Sequence, residues 1–198
     1  MSAYLVSGTT RTLTVCRNPH LTARIDRVLA PVGTAPDCRI GVGWLDHHMG
    51  DSPHVRAAAD ADSDAIAAVW LRSRRASVPQ IPESVHSDQD VQEWVAGVLV
   101  PSGATWVAVT EAGVVGMMTV RDGSIDQLYV DPGHLGQGTG TTLVDHAKRL
   151  HPGGLDLWTF QSNARARRFY EARGFLPVEE TSGDNEEGAP DVRYHWGA

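Results

Sequence analysis

A chain of 198 residues, 41% of them hydrophobic and 21% charged, is long enough for one domain with a real core, and its composition excludes wholesale disorder or a fibrous repeat. A formal net charge of -7 argues against a nucleic-acid partner, because a phosphate-binding surface needs a basic face. No run approaches the roughly 20 apolar residues of a membrane span and the N-terminus lacks an apolar signal core, so a cytoplasmic protein without a membrane partner is expected.

Residues 1–48 mix Gly, Thr, Arg, Pro and His without a sustained period and read as a weakly structured extension before one domain over 49–198. Inside it, Leu21, Ile25, Val28 and Leu29 recur at helical spacing, suggesting a short helix over 21–30. Cys16 and Cys38 are the only cysteines, with no second pair at zinc-site spacing, so two free thiols and no metal are expected. Met49 stands just before the first convincing strand, over 53–58. Asp60 is positioned to cap a following helix that carries Ile66, Val69 and Trp70 on one face and fades near Ser77, before Pro79. Ser87 and Asp90 have capping-box spacing ahead of a helix with Val91, Trp94, Val95, Val98 and Leu99 on one stripe. After Pro101 come three β-rich runs, over 105–110, 113–120 and 124–130, the last two joined by Asp122-Gly123, a pair that favours a tight primed turn. A glycine-rich loop leads to a helix through Leu143, Val144, Ala147 and Leu150, stopped by Pro152. A strand over 155–159, a helix over 163–173 closed by Gly174, and strands over 176–182 and 192–196 complete an α+β pattern.

Between a strand and a helix, the loop places Gly136, Gly138 and Gly140 where free backbone N–H groups meet the positive end of the helix dipole. Without a Cβ, the backbone can approach a phosphate closely. A nucleoside-triphosphate loop would need a lysine after the glycines, and the nearest is Lys148, well inside the helix. A dinucleotide fingerprint would need glycine at Thr141 and a parallel βαβ unit rather than hairpins.

LYVDPGHLGQGTGTTLV resembles motif A of the GNAT acyltransferase superfamily, with Gln137-Gly138-Thr139-Gly140 as its short form; spaced from Pro132, the usual Gln or Arg position falls on Leu135. TFQSNARARRFYEARGF resembles motif B of the same family, with Asn163, Ala166, Phe169, Tyr170, Gly174 and Phe175 in place. The resemblance covers about three quarters of the chain. It implies a central, mostly antiparallel twisted sheet flanked by about four helices, and an acetyl (or other short acyl) group moved from acyl-coenzyme A to a primary amine of a small molecule or protein. By the same resemblance the coenzyme site takes Leu128, Tyr129 and Val130 through their backbone, then Leu135, Gly136, Gln137, Gly138, Thr139, Gly140, Thr141, Asn163 and Tyr170. The alternative is a non-catalytic acyl-coenzyme A sensor that kept the loop and lost turnover; a homodimer is compatible with either.

Acyl transfer to an amine needs a neutral nitrogen, a polarised carbonyl and a proton for the leaving thiolate. The Val130 amide is the implied donor to the carbonyl oxygen. Tyr170 carries a phenol that can protonate sulfur, and Asn163 can both cap the helix and touch the coenzyme. Asp126, on the strand feeding the loop, is the candidate base or amine anchor. Glu83 and His86 are alternatives for the acceptor, by analogy with family members that use that loop. The acidic run over 183–188 reads as a solvated turn, and Arg165, Arg167 and Arg168 as a solvated face with Glu171 as a helical partner.

Overall fold

The computed structural model describes residues 3–6, 13–16 and 52–197. Ala3–Val6 (β1) and Leu13–Cys16 (β2) pair as an antiparallel hairpin. The helix expected over 21–30, Cys38 and Met49 lie outside the described residues. No helix among them is long and apolar enough to cross a membrane.

The main sheet has seven strands in the order β3-β4-β5-β6-β7-β9-β8, where β3 is His54–Ala57, β4 Thr105–Thr110, β5 Gly113–Arg121, β6 Ser124–Val130, β7 Leu155–Phe160, β8 Leu176–Thr181 and β9 Asp191–Trp196. All neighbours are antiparallel except β6 and β7, whose parallel register holds only at Ser124–Asp156 and Ile125–Leu157. Past Ile125 the two strands part. Asp122 and Gly123 both adopt positive φ, 49° and 79°, the primed turn that suits the right-handed twist of a hairpin.

Helices α1 (Ser63–Ala76), α2 (Asp88–Trp94), α3 (Thr139–Leu150) and α4 (Ala164–Glu171) flank the sheet. On one side Ile66, Val69 and Trp70 of α1 pack with Val91, Trp94 and Val95 over Val107 and Met117. On the other, Leu143, Val144 and Ala147 of α3 join Met118, Leu155, Leu157, Phe175 and Tyr194. Successive residues of one strand, Val107 and Ala108 or Met117 and Met118, thus feed opposite cores, as the two-residue pleat requires.

Three local details depart from the sequence expectation. At the start of α1 the closing carboxylate is Asp62, which accepts from the Ala59 amide at 2.8 Å and from both Arg56 nitrogens at 2.7 and 2.8 Å. Ser87 and Asp90 do form the capping box, but the stripe after Trp94 continues as a π-turn, Val95–Leu99. In that wider turn residues five apart align, so Val95 and Val100 are both buried, and Gly97 adds no side chain to crowd it. Leu150, the last residue of α3, is 41% exposed.

Candidate active site

Where β6 leaves β7, a cleft of about 490 Å³ opens between the end of β6, the glycine turn, α1 and α4. The Asp131 amide donates to Val115 O at 2.9 Å, and Tyr129 lies opposite Met117 in the same register. Backbone groups alternate direction along a strand, so Tyr129 spends its N–H and C=O on β5 while Leu128 and Val130 direct theirs to the open edge. The edge that β7 vacates is therefore lined with unused main-chain donors and acceptors.

Beyond β6, Asp131 accepts from Gly133 N at 2.9 Å and from Arg72 Nε at 2.7 Å, fixing the chain before the glycines. Gly136 and Gly138 sit at φ 79° and 87°, a region that L side chains rarely adopt. Gly138 is the N-cap of α3, leaving the first-turn amides of the helix without carbonyl partners. At Gly140 the packing is tight: a Cβ there would stand 3.1 Å from the Phe169 ring. At the same place, a Cβ on Gly116 would lie 2.9 Å from the Thr139 methyl.

Of the residues read as coenzyme ligands, Leu128, Tyr129, Val130, Leu135, Gly136, Gly138, Gly140, Thr141, Asn163 and Tyr170 line this one cleft. Gln137 instead folds back, donating to Gly133 O at 2.9 Å, and the Thr139 side chain is buried beneath the helix. Leu135, where motif A usually has Gln or Arg, is 37% exposed at the cleft edge and contributes no polar side-chain atom.

Asn163 caps α4, accepting from the Ala166 amide at 3.1 Å. Seven residues on, Tyr170 lies 7% exposed, its ring edge-on to Phe169 and Phe175. Burial pushes its phenol up, the nearby Tyr129 adds to the rise, and Arg173 opposes it. Arg173 stacks on Phe169 at 3.7 Å, donates to Thr141 Oγ1 and lines the cleft. Burial lowers its pKa.

The acceptor-side expectations fall in different places. Asp126 is on the cleft wall, its carboxylate accepting from Arg121 Nε at 2.8 Å. Glu83 is exposed and His86 sits 3.0 Å from Glu186, and neither is among the cleft-lining residues. The run over 183–188 is not the solvated turn that its charge suggested: Glu187 takes an ion pair from Arg74 at 2.9 Å with both side chains more than nine-tenths buried, and Asn185 ties the loop to Ala189 and Asp191. Arg167 likewise turns inward, onto Tyr194 Oη at 3.2 Å, and Tyr194 donates to Glu171 at 2.6 Å. Arg165 lines the cleft and Arg168 is exposed.

Arg74 was missed by the sequence reading. Its signal was there: Ile66, Trp70 and Arg74 recur every four residues, so the buried stripe of α1 runs straight into a charge.

Residues 101–177 match the model of the acetyltransferase (GNAT) domain. A peptidyl-lysine N-acetyltransferase, YjaB of Salmonella typhimurium, is 32% identical over 123 residues, 62% of this chain and 82% of its own length. The chain belongs to the GNAT family. It is an N-acetyltransferase. The solution structure of apo YjaB from Escherichia coli, 27% identical, superposes with a TM-score of 0.62 over 74% of this chain and 99% of that one. The PaiA N-acetyltransferase of Thermoplasma acidophilum, seen in complex with coenzyme A, shares the fold at 17% identity, with a TM-score of 0.59 over 74% of this chain and 99% of that one.

Proposed function

We propose that this GNAT enzyme transfers an acetyl group from acetyl-coenzyme A to the side-chain amine of lysine in a peptide or protein. The observation that carries the reading is the cleft itself, in which the vacated edge of β6, the Gly136–Gly138 turn and the Tyr170 phenol converge. Similarity to a peptidyl-lysine enzyme supports the acceptor class, and the coenzyme A complex of a protein with the same fold supports the acyl donor.

In this reading the first-turn amides of α3 and the glycine turn hold the pyrophosphate, with Arg173 alongside. The pantetheine arm takes the place of the missing β7 partner, pairing with Leu128 and Val130. The Val130 N–H stabilises charge growing on the thioester oxygen as the acceptor nitrogen bonds to the carbonyl carbon. The C–S bond then breaks and sulfur takes the Tyr170 proton. Asp126, the sole carboxylate among the cleft-lining residues, receives the proton that nitrogen sheds.

The test is release of free thiol by purified protein, acetyl-coenzyme A and lysine-containing peptides, with mass spectrometry to locate the acetyl group. A product acetylated at the lysine side chain is expected. Coenzyme binding without thiol release for any amine would instead assign the chain to the sensor role.

A further inference from the structure

The end of the cleft away from the glycine turn is built around charge. Burying an ion pair costs several kcal/mol per ion in desolvation, and apolar residues of the same volume generally serve stability as well, so Arg74–Glu187 points to a role beyond holding the fold. Arg74 is 4% exposed yet lines the cleft. Its Nη2 donates to Glu187 Oε1 at 2.9 Å and to Pro82 O at 3.3 Å, and the guanidinium lies over the Trp70 ring at 5.3 Å. Its Nε is enclosed and has no hydrogen-bond partner among the described residues. Trp70 packs on Tyr129 with centroids 5.5 Å apart and donates to Gln127 Oε1 at 3.2 Å, fixing both β6 side chains. The Tyr129 hydroxyl lies beside Arg74, whose charge works against the effect of burial on the phenol.

Arg74 and Tyr129 both line this end of the cleft, a guanidinium that has only donors beside a phenol that can donate as well as accept. Arg74 faces one oxygen of Glu187, and the cleft-wall carboxylate Asp126 faces Arg121. Resting on the acyltransferase reading of this cleft, we propose that Arg74 and Tyr129 form an anchoring subsite for a carbonyl-type oxygen that the acceptor carries beyond its amine. A carboxylate or the C=O of a peptide satisfies it, and a plain alkylamine does not.

The experiment uses ω-amino acids of graded chain length, their primary amides, and alkylamines matched in length. Wild-type protein should use the best carbonyl-bearing member at least ~10-fold more efficiently in kcat/KM than its alkylamine, since a site that hydrogen-bonds a substrate oxygen penalises its absence. The acid and amide arms separate a free carboxylate from a peptide carbonyl. Arg74→Met alone would strand Glu187, so Arg74→Met with Glu187→Leu is the informative variant, with Tyr129→Phe as the second. In both, the preference should fall to within ~3-fold, because charge-assisted and phenol hydrogen bonds to the acceptor are lost, and the double variant, whose two residues are not coenzyme ligands, should keep its acetyl-coenzyme A affinity. Equal use of alkylamines by wild type, or a preference that survives in both variants, overturns the proposal. If no amine releases thiol, calorimetric binding to the coenzyme A-loaded protein decides. Carbonyl-dependent binding that the double variant loses upholds the subsite while the transfer reading fails, and no binding of any compound overturns both.

Discussion

At the scale of single residues, the two sharpest expectations concern Tyr170 and Gly138. Tyr170→Phe removes one hydroxyl and leaves the aromatic contacts with Phe169, Phe175 and Tyr194 in place, so fold and coenzyme affinity should persist. Turnover should fall by about 10²–10⁴, the usual worth of a positioned proton donor, and single-turnover thiol release is the measurement, because slow product release would mask the step. Wild-type rates in a folded variant would remove the phenol from the chemistry. At Gly138 an added Cβ meets no protein atom within 4 Å, so the defect of Gly138→Val should come mainly from its φ of 87° and from ligand space. Left-handed strain of about 1–3 kcal/mol should lower the melting temperature modestly, and calorimetry should show a much larger loss of coenzyme affinity. Equal small losses in both would mean the amides there do not meet the coenzyme.

At the scale of elements, α1 and α2 start by different devices and respond differently to change. The Arg56 pair, with the Ala59 amide adding to it and burial opposing, holds the Asp62 carboxyl below its ordinary range. A depressed folded-state pKa stabilises above the unfolded value and loses that contribution as pH falls through the folded one. Asp62→Asn should therefore lower stability at neutral pH and flatten the acid limb of urea-unfolding free energy against pH. An unchanged acid limb would show that the pair does not couple to folding. Ser87→Ala removes the side-chain acceptor for the Asp90 amide and should cost about 1 kcal/mol by the same denaturation measurement, with no effect on coenzyme binding. Both starts were readable because capping spacing is local. The two-residue offset from Asp60 to Asp62 was not, since Arg56 on β3 chooses which carboxylate closes the turn.

At the scale of the whole molecule, the seven-stranded sheet and its four helices lie C-terminal to Ser52, and each flanking helix packs its apolar stripe on one of the two cores. We expect a chain starting at Met49 to keep its melting temperature and coenzyme affinity. Aggregation of that shorter chain would show that the first segment completes a core or an interface. Periodicity, capping pairs, the Asp122-Gly123 turn and the glycine spacing determined the elements from sequence alone, because each depends on neighbours within a few residues. The family motifs likewise picked out residues that the fold gathers around one cleft, with Gly136 and Gly138 at positive φ. The tertiary structure alone decided where β6 and β7 part, which main-chain groups face the gap, and that Gln137 turns away from it. It also set Arg74 against Glu187, 113 residues apart, and drew an acidic loop into the interior. Such pairing follows from strand order and burial, which bring together charges that no local pattern relates.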